Sequence, residues 1–222
     1  MLFSRSARTS LASAALPCAA LLVGCADPVG RYEDFIARDT AAREGQGAGE
    51  GGGAGGDAPC ALPEAGAADG DFLFSLSAYL SPRTPIVFLA KLATEARDGG
   101  LGFSLRFQPL EAADRRTPTG TPVDVGPYEA GADGAFTAAL PTITVPGNAN
   151  PISGSDLEAT ITLTGSLCAP ADFVCGDVTG TVARPLRLDL ADSTFAMDRI
   201  TDPTSYPAPV IDCERRPALP LE

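Results

Sequence analysis

Strict alternation of apolar and polar residues is the feature that most restricts how this chain can fold. Residues 157–167 (LEATITLTGSL) alternate along their whole length, and residues 71–79 and 101–108 show the same pattern. A period of two puts the apolar side chains on one face of an extended strand. The pattern therefore predicts antiparallel strands with one face in the core and the other in water.

Further strand candidates fill most of the chain after Cys60. Residues 85–92 (PIVFLAKL) are apolar on both faces apart from Lys91, which predicts a central or doubly covered strand. Residues 193–200 (STFAMDRI) fit either a last strand or a single helical turn. Weaker candidates are TPVDVGPY (121–128), GAFTAALPTITV (134–145), CGDVTGTVA (175–183) and PLRLDL (185–190).

Together these segments predict an all-β domain. About eight short strands in roughly 150 residues, separated by turn-forming residues, are typical of a sandwich or a barrel. Short connections favour an antiparallel meander, which can close into an eight-stranded barrel, while a Greek-key sandwich is the alternative. Pro109, Pro141 and Pro185 interrupt strand candidates and should mark edges, bulges or strand ends.

The N-terminus is patterned for export. Arg5 and Arg8 precede an Ala/Leu-rich run, residues 11–23, that is too short for a comfortable membrane span and fits a secretory signal peptide. The four residues that end with Cys25 (Leu-Val-Gly-Cys) resemble the lipobox of bacterial lipoproteins, where the bond before the cysteine is cut and the cysteine is acylated. This resemblance implies a signal peptide over 1–24 and a lipid-modified Cys25 that anchors the chain to a bilayer. The alternative is an ordinary signal peptide in which Cys25 is incidental.

Three segments follow the expected cleavage site. Residues 25–43 form the anchored segment, and the helical spacing of Tyr32, Phe35 and Ile36 suggests a short amphipathic helix within it. Residues 44–58 hold eight glycines in fifteen positions and predict a flexible linker with a root-mean-square span of about 20 to 23 Å. Residues 59–222 contain the all-β domain.

The prediction of export also indicates which cysteines remain in the mature chain and whether they form disulfides. Cys18 leaves with the signal peptide and Cys25 carries lipid, so Cys60, Cys168, Cys175 and Cys213 remain. An even number of cysteines in an exported chain predicts disulfides. Of the three possible connectivities we expect Cys168–Cys175, which flanks a short loop, and Cys60–Cys213, which brackets the rest. A zinc site is disfavoured because there is no CxxC spacing and no histidine.

Charge argues against nucleic acid as a partner. The formal net charge is −12, and loss of residues 1–24 removes two arginines and no acidic residue, which makes it −14. A field of this sign repels phosphate backbones. We attribute the acidity to solubility.

The chain lacks the residues of most catalytic sites. The absence of histidine excludes the Ser-His-Asp triad, the Cys-His pair and His-ligated zinc. Lys91 has no serine three residues before it, and no phosphate-binding or dinucleotide motif occurs. A carboxylate pair is the chemistry that remains. We therefore expect a protein that is not an enzyme and assign no catalytic, cofactor-binding or metal-binding residue.

Several acidic residues lie next to glycines, which makes calcium a candidate ligand. These residues are Asp69, Asp71, Asp133, Asp156 and Glu158. None of their surroundings matches the twelve-residue calcium loop with its alternating acids. We interpret them as ordinary turn residues.

The layout of lipobox, linker and cysteine-framed β domain resembles uncharacterised envelope lipoproteins of myxobacteria and related bacteria. The segments that carry the resemblance are GRYEDFIAR (30–38), GNANPISGSDL (147–157), LCAPADFVCGDVTG (167–180) and DLADSTFAMDR (189–199). It implies a lipid-anchored protein of the cell envelope. Ala26, rather than an aspartate, follows Cys25, which implies the outer membrane. The resemblance supplies no catalytic residue.

Three functions are consistent with these features. The first is a non-catalytic binding or interaction lipoprotein whose β domain contacts a protein, a carbohydrate or a small apolar ligand. The second is a structural envelope component with a filled core and no ligand. The third is a carboxylate-dependent hydrolase. An internal cavity would favour the first over the second, and two carboxylates about 5 to 10 Å apart in an open cleft would favour the third.

Overall fold

The computed structural model describes residues 60–221, which contain strands, turns and one short 3-10 helix, Gly147–Ala149. No helix in this range is long and apolar enough to cross a membrane. The predicted signal peptide, the predicted lipidation site Cys25, the predicted short helix and the predicted glycine-rich linker all lie outside the described residues. The strands are β1 (Gly70–Ser77), β2 (Ile86–Arg97), β3 (Gly100–Pro109), β4 (Val123–Gly131), β5 (Ala135–Ala139), β6 (Ile143–Val145), β7 (Leu157–Ser166), β8 (Phe173–Arg184), β9 (Leu188–Asp189) and β10 (Ser193–Arg199).

The strands form one antiparallel sheet that closes on itself. Neighbours along the chain are neighbours in space from β1 to β5, and β10 pairs with β1 to complete the ring. β5 and β6 both pair with one edge of β7, and β9 and β10 both pair with one edge of β8. Because β5 and β6 share one position in the ring and β9 and β10 share another, the ten strands form a barrel with eight strand positions. The fold is therefore an eight-stranded meander barrel, which confirms the all-β prediction and selects the barrel over the sandwich.

The sequence pattern located most strands correctly. Residues 193–199 form β10, so this segment is a strand and not a helical turn. Pro109 ends β3, Pro141 separates β5 from β6, and Pro185 follows the end of β8. This agrees with the expectation that prolines mark strand ends, since proline cannot donate a ladder hydrogen bond. The weakest candidate, PLRLDL, contributes only the two-residue strand β9.

Aromatic rings fill one part of the barrel interior. Seven of the eight phenylalanines within residues 60–221 are buried. Phe74 stacks on Phe195 with ring centroids 5.7 Å apart, and the series continues through Phe136 to Phe103 at 6.3 and 5.0 Å. Such offset and edge-to-face contacts are the arrangements that aromatic rings prefer.

Two glycines make room for these rings. Gly165 on β7 and Gly176 on β8 are paired in register. A Cβ atom at either position would lie 2.9 Å from the Phe195 ring, and at Gly165 it would also lie 3.2 Å from Phe136. The missing side chains therefore create the space into which Phe195 and Phe136 pack.

The C-terminal segment covers part of the outer face of the barrel. Leu73, Val87 and Leu110 form a second buried cluster outside the barrel, and Tyr206 from the C-terminal segment packs on it. The Thr194 hydroxyl on β10 donates a 2.6 Å hydrogen bond to the carbonyl of Ile211. The first residues of β2 are accordingly buried on both faces, as the apolar run 85–92 predicts.

The disulfides confirm that all four cysteines are paired, but the predicted connectivity is wrong. The bonds are Cys60–Cys168 and Cys175–Cys213. Val174 and Gly176 face the interior of β8, so Cys175 points outward to the C-terminal segment that carries Cys213. Cys168 lies just past β7 and meets Cys60 next to Gly134, where an added Cβ would lie 2.3 Å from the Cys60 sulfur. Side-chain direction, and not loop length, selects the partners.

Both bonds join segments that are distant in sequence. They close loops with separations of 108 and 38 residues. By loop entropy alone these crosslinks would stabilise the fold by about 5 and about 4 kcal/mol. Cys60–Cys168 ties the N-terminal entry to the barrel, and Cys175–Cys213 ties the C-terminal cover to its outer wall.

Peptide mapping can test the connectivity because aspartates separate all four cysteines. Cleavage before each aspartate places them in the peptides 57–68, 156–171, 172–176 and 212–222. Under non-reducing conditions we expect peptide 57–68 joined to 156–171 and peptide 172–176 joined to 212–222. Mass spectrometry of a peptide 156–171 linked to 172–176 would contradict the structure.

Candidate functional site

An apolar cavity of about 280 Å³ lies inside one end of the barrel. We call this the cavity end. It is the end at which β1, β3 and β8 finish and β2, β4 and β7 begin. Three connections that reach it contribute lining residues, namely 78–85, 146–156 and 185–187.

The walls of the cavity are aliphatic. Ile86 on β2, Val145 on β6, Ile161 on β7 and Val182 on β8 are buried and line it. Phe88 lines it as well, and this ring contacts Phe74 and Phe107 edge to face. The phenylalanine cluster therefore lies beside the cavity and bounds it.

Small side chains leave this end of the barrel empty. Ala159 on β7 and Ala78 after β1 are buried and contribute small side chains to the cavity lining. In the filled part of the barrel, the small residues Gly165 and Gly176 are matched by large rings that pack over them. The small residues Gly165 and Gly176 are thus covered by aromatic rings, whereas Ala78 and Ala159 border the cavity.

Three exposed aliphatic side chains belong to both the cavity lining and the surface. Leu80, Ile152 and Leu186 lie on three different connections, and Leu186 is 79% exposed. Large aliphatic side chains exposed singly are common, but three that converge on the mouth of one apolar cavity make a continuous apolar path inward.

The connection 146–156 is held by its own polar groups. Asn150 is 2% exposed, and its side-chain amide donates to the Ser153 hydroxyl and the Ser155 carbonyl at 2.9 and 2.8 Å. Its side-chain carbonyl accepts from the Ile152 backbone amide at 3.1 Å. Asp156 accepts a 2.8 Å hydrogen bond from the Gly147 backbone amide. All of these Asn150 hydrogen bonds are to residues of the same connection. They position Ile152 at the mouth of the cavity.

The acidic residues weighed as calcium ligands serve other roles. Asp69 accepts hydrogen bonds from the backbone amide and the hydroxyl of Thr94, both at 2.7 Å, and Asp133 accepts from the Ala135 amide at 3.1 Å. Asp156 caps the turn at Gly147, while Glu158 pairs with Arg184 and Asp71 with Lys91 on strand surfaces. Within residues 60–221, no group of three or more metal-ligating side chains is found. Asp69, Asp133 and Asp156 thus lie in turns or connections as expected, whereas Asp71 and Glu158 lie in β1 and β7, so the turn interpretation is wrong for these two.

A second, polar groove belongs to the attachment of the C-terminal segment. Its lining includes Asp212, which is 3% exposed and forms an ion pair with Arg216. The Asp212 carboxylate also accepts a 3.0 Å hydrogen bond from the Arg216 backbone amide. The carboxylate therefore fixes the turn that ends at Arg216, and we assign it a structural role.

Perturbed titratable groups lie away from the cavity lining. Hydrogen bonds from the hydroxyl and backbone amide of Thr117 lower the pKa of Asp114 in the β3–β4 connection. Burial raises the pKa of Tyr128, whose hydroxyl donates to the Ala139 carbonyl at 2.8 Å. Both groups stabilise loops or walls of the barrel.

Sequence reasoning missed the residues that make the cavity. Leu186 was assigned to the strand candidate 185–190, but it lies in the connection between β8 and β9. Ile152 lies in a run of turn-forming residues, PGNANPISGSD. In both cases a large aliphatic residue lies within a connection between strands. Such a residue could have indicated that the connection packs over an apolar space.

Comparison of the chain with protein-family models, with curated proteins and with solved structures found no match.

Proposed function

We propose that the chain is a lipid-anchored envelope protein whose barrel binds one small apolar ligand without catalysis. The observation that carries this proposal is the cavity of about 280 Å³ at the end of the barrel. Eight-stranded barrels are wide enough to hold a single small ligand, and this one leaves part of its interior unfilled. The cavity is slightly smaller than the usual range of small-molecule sites, about 300 to 1,000 Å³.

Cavity volume and chemistry indicate the class of ligand. At roughly 30 Å³ for each water-sized group, the cavity would hold about nine methylene groups. Burial of nine methylenes at about 0.8 kcal/mol each gives roughly 7 kcal/mol before the cost of association. We therefore expect dissociation constants that are micromolar or weaker for simple chains.

Anchoring is supported by the N-terminal sequence and the crosslinks. A positively charged start, an apolar run and the Leu-Val-Gly-Cys motif ending at Cys25 precede the domain. The two disulfides of the domain suit an oxidising compartment, as expected after export. The outer membrane is our proposed location, because Ala26 follows Cys25.

The two other functions have less support. A structural component needs no internal space, and the unfilled cavity lowers the stability of the fold unless a ligand occupies it. A carboxylate-dependent hydrolase needs two acidic side chains in a cleft. None of the described residues that line the cavity is acidic, and the surface carboxylates Glu95 and Asp124 are each paired with an arginine.

Ligand binding can be tested with a chain of known length. We expect decan-1-ol to bind the full chain with one-to-one stoichiometry in calorimetry, with a negative heat-capacity change because apolar surface is buried. Ala159→Phe should weaken this binding at least tenfold, because the added ring occupies the cavity. Thermal unfolding should show that the variant is as stable as the wild type, since the ring fills an existing space.

The matched control is Ala139→Phe on β5, which adds the same ring at an exposed position. This variant should bind decan-1-ol like the wild type. The proposal would be wrong if decan-1-ol did not bind, or if both phenylalanine variants weakened binding equally.

Anchoring has an independent test. When the chain is expressed in a bacterium that processes lipoproteins and fed a labelled fatty acid, we expect label in the full chain and none in Cys25→Ala. The Cys25→Ala variant should also leave the membrane fraction. Labelling that persists in this variant would contradict acylation at Cys25.

A further inference from the structure

The mouth of the cavity carries one charged side chain. Arg187, between β8 and β9, is exposed and is the one charged residue in the described cavity lining. Every other side chain in this lining is apolar or neutral. The positive charge therefore stands at the boundary between an apolar space and water.

Arg187 has no ion-pair or hydrogen-bond partner among residues 60–221. Its neighbour Arg184 differs in this respect, because it pairs with Glu158 at 3.4 Å. The chain has 28 acidic residues, yet none of those within residues 60–221 lines the cavity beside Arg187. The guanidinium is left with its donors directed to solvent or to a ligand.

We propose that the ligand is a single-chain amphipath with an anionic head group, bound with its chain in the cavity and its carboxylate or phosphate against Arg187. This inference rests on the proposed binding function and adds the identity of the head group. The guanidinium presents donors in a planar fork that matches both oxyanions. Leu80 and Leu186 at the mouth would cover the first carbons of the chain.

Chain length follows from the volume. Space for about nine methylene groups admits a medium-length chain and excludes a two-chain lipid. A longer chain would have to extend through the mouth, along the exposed aliphatic side chains. The expected ligands are therefore single chains of about ten carbons that end in a carboxylate or a phosphate.

The test compares head groups on one chain. We would titrate the full chain with decanoate, decyl phosphate, decan-1-ol and decylammonium at low salt. Decanoate or decyl phosphate should bind about five- to tenfold more tightly than decan-1-ol. Decylammonium should bind more weakly than decanoate and decyl phosphate. The anion that binds more tightly indicates whether the head group is a carboxylate or a phosphate. High salt should reduce this preference, because the pair is exposed.

Two variants assign the preference to one residue. In Arg187→Gln the ratio of the affinities for the anions and for decan-1-ol should fall to about one, whereas Arg184→Gln should keep the wild-type ratio. Equal affinity of the wild type for anionic and neutral chains would overturn the head-group inference alone, as would a preference that survives in Arg187→Gln. Failure of all four compounds to bind would overturn the proposed function as well.

Discussion

The packing of Phe195 against two glycines is the contact on which the rest of the barrel depends. Gly165 and Gly176 face each other across β7 and β8, and the Phe195 ring occupies the space that their side chains would take. From there the ring contacts Phe74 on one side and Phe136 on the other. Because protein interiors are close-packed, this cluster makes one part of the barrel solid.

The solid part allows the other part to remain open. A barrel with a cavity along its whole length would lose the packing that stabilises it, since each unfilled volume costs stability. Here Phe195 with its ring partners Phe74 and Phe136, the Cys60–Cys168 crosslink and the C-terminal cover all stabilise the fold without contributing to the cavity lining. The cavity end can therefore keep aliphatic walls and an unfilled interior.

Local pattern was sufficient for the strands but not for the site. The alternation in 157–167 reports which side chains share a face, and β7 forms there as expected. Closure of the barrel depends on the pairing of β1 with β10, which are far apart in sequence, so no local signal separates a barrel from a sandwich. The cavity depends on which side chains lie opposite one another inside the closed barrel. That is determined by the register between strands and not by the amino-acid composition.

The disulfides show the same limit. Loop length suggested that Cys168 and Cys175 would pair, because only a short connection separates them. In the structure Cys175 points to the outer face of β8 and Cys168 meets Cys60, so side-chain direction overrides proximity in sequence. The sequence around Arg187 gives no sign of the apolar cavity that lies beside it in the structure.

Nuclear magnetic resonance of the full chain with a saturating ten-carbon chain tests the central claim most directly. Our account predicts intermolecular contacts from the chain to the methyl groups of Leu76, Ile86, Ile161 and Val182, which are buried in the cavity walls. Contacts restricted to the exposed leucines Leu80 and Leu186, with none to the buried methyl groups, would mean that the chain only adsorbs at the surface. That result would contradict a ligand site inside the barrel.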